Sequence, residues 1–201
     1  SRRSMEKIYM KLLMENWREY LTEGMKTFED LPEDVGITIL KDGDYWEIFY
    51  SQLNSPEEYS NGPSGGVDMT KVADSYDCAI KDAWHLRSDI DHGWGPLIYD
   101  IAMEWASMHG SGLMSDRAGL SPHSQAVWQY YYDNRTDVKI RQLDDLKNTL
   151  TPQDDSDNCK QSYGITNSWY DLENSPTAKL YSKQPTTIDA LRKLNKLVII
   201  K

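Results

Sequence analysis

Phenylalanine is nearly missing from this chain: two residues in 201, against thirteen Tyr and seven Trp. Rings that carry a polar handle suit positions where one end is buried and the other finds a hydrogen bond, in clefts as well as in cores. Basic charge is short as well. Twenty-two Lys and Arg face 32 Asp and Glu, for a net charge of −10. A protein that grips nucleic acid through phosphates needs clustered cations, so direct nucleic-acid binding is disfavoured. Cysteine occurs twice, at Cys78 and Cys159, with no CxxC pair and no His/Cys cluster. Their absence argues against a structural zinc site. It reads most simply as two free thiols in a reducing cytoplasm, a single disulfide being the alternative. No apolar run approaches the roughly 20 residues of a membrane span, and the charged start "SRRSMEKIYMKLLMENW" lacks a signal-peptide core. The expected setting is cytoplasmic. No Ser/His/Asp, Cys/His or metal-spaced His/Asp pattern stands out, which ranks hydrolase readings low.

What is present is a mixture of helix and strand patterns. Met5, Ile8, Tyr9, Leu12, Leu13, Trp17, Tyr20 and Leu21 recur at three and four before Gly24, the mark of an amphipathic helix. Residues 1–24 are read as an N-terminal helix and 25–201 as one domain; the helix is also a means of forming an oligomer. "VGITILKDGDYWEIFYSQL" reads as a hairpin turning at Asp42-Gly43. Asn54 to Gly66 reads as loop and Tyr76 to Leu86 as a strand bent near Asp82. A helix over Pro96–His109, a short strand at "GLMS", a second helix capped by Ser121 with Pro122 in its first turn, and strands at "DVKIRQL" and "AKLYSK" follow. Thr149 to Asn174 reads as an acidic loop. Thr187 is expected to cap a last helix with Ile188, Leu191, Leu194 and Val198 on one face. Strands and helices without strict alternation predict a mixed α/β (α+β) sheet flanked by helices.

The most informative stretch is "DIDHGWGPLIYDIAMEW". Two glycines and a proline stand between a strand and an apolar helix. The first turn of a helix presents unpaired amides and the positive end of its dipole, and glycine lets a phosphate approach. The third glycine of a dinucleotide fingerprint and the Gly-Lys-Ser/Thr of a P-loop are both missing, so a tight turn is the plain alternative.

The succession of long strand, Gly-x-Gly turn, apolar helix, short strand and second helix resembles the core of the GNAT superfamily of N-acetyltransferases. In that family a Gln/Arg-x-x-Gly-x-Gly/Ala loop holds the pyrophosphate of acetyl-CoA. Here Ile90-Asp91-His92-Gly93-Trp94-Gly95 corresponds, with Ile90 in place of the leading Gln or Arg and with Pro96 removing one amide. "PLIYDIAMEWASMHG" is similar to the family's following helix, and "SQAVWQYYYDNR" to the next, Ala126 and Tyr130 keeping an Ala-x-x-x-Tyr spacing. The likeness spans about Tyr76 to Val138. "MKLLMENWREYL" also resembles N-terminal segments of marine bacteriophage proteins, which would make the expected cytoplasm that of the host.

The resemblance implies acyl transfer from acetyl-CoA, as co-substrate, to an amine, either a small molecule or a Lys side chain. Gly93, Trp94, Gly95 and the Leu97 amide would cradle the pyrophosphate. A backbone amide near Leu86 would meet the thioester carbonyl, and Tyr130 would protonate the thiolate. Candidate bases are His85, Asp82 and Asp89. Residue by residue, His85 also reads as a strand histidine, His92 as a solvated loop residue and Tyr130 as a core ring. Asp116-Arg117 reads as a local ion pair, or as an anion holder in the cleft. Asp144-Asp145 and Asp154-Asp155 read as loop charges, or as a site for a cationic substrate such as a polyamine. Two other functions fit the departures from the family pattern: a GNAT-like binding or virion-associated protein without catalysis, and an acidic phage protein that binds a host protein.

Overall fold

The computed structural model describes residues 24–43, 45–72, 77–91, 93–117, 119–161 and 171–201. The N-terminal helix expected over residues 1–24 falls almost wholly outside them, as does His92. The remainder is a mixed α/β fold. Nine strands form one sheet: β1 Val35–Asp42, β2 Tyr45–Gln52, β3 Ser55–Tyr59, β4 Gly65–Lys71, β5 Ala83–Ile90, β6 Gly112–Met114, β7 Val138–Gln142, β8 Lys179–Lys183 and β9 Leu197–Ile200. Three helices accompany them: α1 Gly95–His109, α2 Pro122–Asn134 and α3 Thr186–Lys193. The strand order is β7-β8-β6-β5-β4-β2-β1-β9, with β3 on β2. β5 with β6 and β1 with β9 run parallel, and the other pairs antiparallel. Among the described residues no helix is long and apolar enough to cross a membrane.

The hairpin forms as its alternation predicts. Ile37 faces Tyr50 and Ile39 faces Ile48, and all four side chains are fully buried. They join Val67 and Met69 of β4, Trp84 and Leu86 of β5, and the Leu97, Ile98, Ile101, Ala102 and Trp105 stripe of α1 in one apolar cluster. Trp128 of α2 lies between Tyr99 of α1 and Tyr181 of β8, with ring centroids 5.5 and 4.9 Å away. A smaller cluster containing Ile80, Ala83, Met114, Leu143, Cys159 and Leu180 is separate from it; Ala83 and Trp84, neighbours on β5, belong to the two clusters in turn, as strand alternation requires.

Five expectations are corrected. Asn54 to Gly66 holds β3 and the start of β4 rather than loop alone, and β4 continues to Lys71. The long strand begins later than expected, at Ala83, because the chain bends through Ala79–Asp82; Cys78 makes an isolated bridge before it. The last helix stops at Lys193. Asn195 takes φ 54°, its amide bonds Arg192 O, and the Lys196 amide bonds Leu191 O, the paired closure of a Schellman motif. Leu197–Ile200 is therefore free to pair with β1, and Leu194 is exposed. Thr187 is the second residue of α3 rather than its cap; the residue before the helix is Pro185. Finally, Cys78 and Cys159 are joined in a disulfide. The reading as two free thiols is overturned by a bridge across an 81-residue separation, a pairing of distant segments that spacing does not reveal.

Candidate active site

The parallel pair β5/β6 is short. Ala83, Trp84 and His85 face Gly112, Leu113 and Met114. β5 then continues for five more residues to Ile90 while β6 ends at Met114, so Leu86 is the first β5 residue past the pairing. Gly112 permits the join on the other side of β6: its φ is 136°, and a Cβ there would stand 2.4 Å from Tyr181 O.

Beyond the end of the pairing lies a cavity of about 270 Å³. Its walls come from three places. Ser88, Asp89 and Ile90 belong to the part of β5 that runs on past β6 while still paired to β4; Gly93, Gly95 and Tyr99 to the turn and first helical turns of α1; Ser121, Ser124 and Val127 to the start of α2. The N-termini of both long helices thus open on one cavity. Each carries unpaired first-turn amides and the positive end of a helix dipole. Pro96 and Pro122 occupy first-turn positions in both, where a missing amide is tolerated. Ser121 caps α2 by accepting the Ser124 amide at 3.2 Å.

A second cavity, of about 460 Å³, lies along β4 and β5. Tyr59, the Ser64–Asp68 backbone and Arg87 line it, and Ser88 and Asp89 line it too. Those two residues are therefore the shared wall between the cavities. Asp68 stands between Glu47 and Arg87 in the strand register. Burial first, and the neighbouring Glu47 second, hold its carboxyl above the ordinary value, against the opposing pull of Arg87.

The expected cradle is met in part. Gly93 adopts φ 81°, a conformation that favours glycine, and Gly93 and Gly95 face the first cavity. Trp94 does not join them. Its amide donates to Asp91 O at 3.2 Å, its carbonyl accepts the Tyr50 hydroxyl at 2.8 Å, and its ring lies edge-on to Tyr50, with centroids 5.4 Å apart. The side chains of Leu86 and Leu97 are buried in the core; their backbones lie at the parting of the strands and in the first helical turn. The Asp91 carboxylate is occupied by the Ser64 amide at 2.8 Å.

Of the base candidates, Asp89 lines both cavities. His85 is buried at the last paired position of β5 and lines neither. Burial holds its imidazole below the ordinary value; Asp116 opposes this, and Arg117 and Arg87 add to it. Asp82 precedes β5 and accepts the Ser111 hydroxyl. Tyr130 is half-buried and packs edge-on to Tyr131 at 5.6 Å; it is not among the residues lining the cavity. The hydroxyl that reaches there is Tyr99's, 3.1 Å from Ser88 Oγ and also bonded to Ser124. Burial holds this phenol above its ordinary value, with the two serines opposing. Tyr99 lies off the Leu97, Ile98, Ile101, Ala102 and Trp105 stripe of α1, and no local signal in the sequence marks it as a site residue.

Arg117, Asp144, Asp145 and Asp154 bind groups of their own chain. Arg117 is fully buried and donates to Ser115 O at 3.0 Å and Thr177 O at 2.7 Å, so it holds backbone rather than an anion in the cleft. Asp144 is fully buried and accepts the amides of Asp145, Leu150 and Thr151 at 2.7–2.8 Å. Asp145 binds Thr149, and Asp154 the Ser156 amide. These acids shape their own loop. Among the described residues no His, Cys, Asp and Glu group could hold a metal ion. No family model, no curated protein and no solved structure matches this chain.

Proposed function

We propose that this protein is an acyl-CoA-dependent N-acyltransferase, moving an acetyl group from acetyl-CoA to an amine. The observation that carries the reading is the convergence of two helix N-termini on the cavity at the parted end of β5 and β6, with a second cavity reached through Asp89. The first cavity suits the phosphates of acetyl-CoA, since first-turn amides and helix dipoles favour anions. It offers the Gly93 and Gly95 backbone and the Ser121 and Ser124 hydroxyls for them. The amine acceptor would enter from the other side, where Asp68 and Asp89 complement a cation. Asp89 stands between the two and would take the proton lost by the attacking nitrogen. The C–N bond forms, the C–S bond breaks, and the departing thiolate needs a proton. Tyr99, with Ser88 and Ser124 behind it, is better placed to supply one than Tyr130. A backbone amide near Leu86 would meet the thioester oxygen.

The compartment belongs to the same proposal. A reducing cytoplasm would keep Cys78 and Cys159 as thiols, whereas secreted, periplasmic and virion-surface proteins keep disulfides. The bond therefore favours an oxidising setting over the host cytoplasm.

The test is a calorimetric titration with CoA and acetyl-CoA. Binding is expected between micromolar and millimolar, on the order of −8 to −4 kcal/mol. Gly95→Asp should abolish it while leaving the fold intact, because a carboxylate suits a helix N-terminus and repels the phosphates brought there. A chain that ignores millimolar CoA is not an acyltransferase, and a binding role without catalysis would replace this reading.

A further inference from the structure

We infer that the Cys78–Cys159 disulfide is a redox-sensitive clamp on the parting of β5 and β6. The bond ties two segments that each control one of those strands. Cys78 lies on the lead-in to β5, five residues before Ala83, and its neighbours bond across to the other segment: Ala79 N to Asn158 O at 2.7 Å and Lys160 N to Asp77 O at 2.8 Å. Cys159 lies beneath β6, with Sγ 4.0 Å from Met114 Sδ, and shares the small apolar cluster of Ile80, Ala83 and Met114. The two residues after it hold Arg117, three places beyond the end of β6. The Arg117 guanidinium donates to Lys160 O and to Gln161 Oε1, each at 3.4 Å. Gln161 in turn donates to Cys159 O at 2.8 Å. One segment, 158–161, thus carries β5 on one side through sulfur and the end of β6 on the other through Arg117. Past this pairing β5 runs on to Ser88, Asp89 and Ile90, which line the first cavity.

The sulfurs differ in access. Cys159 is fully buried and Cys78 is half-exposed, so a dithiol reductant meets Cys78 first. Its thiolate attacks Cys78 Sγ and expels the Cys159 thiolate, which takes a proton. The second thiol of the reductant then attacks the mixed disulfide and frees Cys78. Two electrons and two protons pass to the protein, and the reductant leaves as a disulfide. The 158–161 segment then keeps only non-covalent links to the β5 lead-in, the backbone hydrogen bonds and the packing of Cys159 on Ile80 and Ala83, and the strands can change their spacing.

The experiment compares protein as isolated without reductant with the same protein after dithiothreitol treatment, and with the Cys78→Ser/Cys159→Ser variant. Thiol titration should find Cys78 and Cys159 unreactive before treatment and free after it. Hydrogen exchange should rise at least about tenfold in residues 114–117 and 159–161 on reduction, while residues 98–105 of α1 keep their protection, since local opening is independent of global unfolding. Two free thiols in the untreated protein, unchanged exchange at 114–117, or loss of protection throughout α1 would each overturn the clamp. CoA titration adds a second arm, which rests on the acyltransferase reading: affinity should differ about tenfold between the two forms. If neither form binds CoA, that reading falls, while the exchange data still decide the clamp.

Discussion

At the scale of single residues, a side chain's surroundings decide its chemistry more than its type does. Tyr99 and Tyr130 carry the same phenol on successive helices, yet only Tyr99 reaches the cavity, flanked by Ser88 and Ser124. For the proposed reaction, Tyr99→Phe should lower turnover by about 10²–10⁴-fold, the usual yield of general acid catalysis, with CoA affinity nearly unchanged. Tyr130→Phe should leave turnover within a small factor. Steady-state kinetics on both variants, with the melting temperature as a control for folding, checks this; equal effects would remove the distinction. Asp144 shows the same principle in a structural role. Burial works against its charge, but amides from Thr151, Asp145 and Leu150 outweigh that and hold its carboxyl below the ordinary value of 3.8. A carboxyl depressed by folding stabilises the folded state above its unfolded pKa, and that contribution is lost as pH falls through the folded value. The 144–159 loop should therefore hold at neutral pH and loosen only below about pH 4. Asp144→Asn should cost about 1.5–3 kcal/mol at pH 7, the worth of hydrogen bonds to a charged group, and should flatten the acid limb of stability measured by urea unfolding.

At the scale of elements, helix ends are completed by distant parts of the chain. The start of α3 has no side-chain cap of its own, since Pro185 precedes it. Glu104 of α1 supplies the missing acceptors: Oε1 takes the Thr187 amide at 2.9 Å and Oε2 the Ile188 amide at 2.7 Å. The same carboxylate is paired with Lys183 of β8, which also donates to Thr186 and Thr187. Glu104 and Lys183 are both buried, and deleting Glu104 leaves Lys183 only the longer pairs to Asp100 at 3.9 Å and Asp137 at 3.7 Å. Glu104→Ala should cost about 3–5 kcal/mol, the typical penalty for breaking a buried pair. Glu104→Gln, which keeps an acceptor for one of the amides, should cost less. Chemical denaturation would show whether the two differ in that order. The end of α3 is by contrast local, closed by Asn195 in the left-handed region, and this closure turns the last residues into β9.

At the scale of the whole molecule, the acidic balance bears on the proposed ligand. A chain of net charge −10 repels an anionic ligand at long range, while the two helix N-termini attract it only within the cavity. Salt screens the long-range term first, because the Debye length is about 10 Å at 0.1 M and about 30 Å at 0.01 M. The association rate of CoA should therefore rise as ionic strength increases from 10 to about 150 mM, the reverse of ordinary electrostatic steering. Stopped-flow measurement across that range checks the sign. A rate that falls would mean that a basic patch dominates the field.

Local pattern determined much of this protein. The 3.6-residue spacing of Leu97, Ile98, Ile101 and Trp105 placed α1, Ser121-Pro122 placed the start of α2, and alternation around Asp42-Gly43 placed the first hairpin; each depends on neighbours within a few residues. Val67 and Met69 alternate as clearly with Asp68 and Thr70, and β4 could have been read from them. Gly93 and Gly95 marked one wall of the candidate site for the same local reason. Tertiary structure alone decided the rest. Which strand β5 leaves, and where, depends on pairing between residues 83–85 and 112–114. The second helix is held on α1 near the cavity by Trp128 packing against Tyr99 and Tyr181 and by the Tyr131 hydroxyl on Pro96 O. The tyrosine that lines the cavity, the carboxylate that completes α3 and the partner of Cys78 are all long-range facts. Hydrophobic burial and hydrogen-bond satisfaction reward contact in space, whatever the separation along the chain, so no window of sequence carries them.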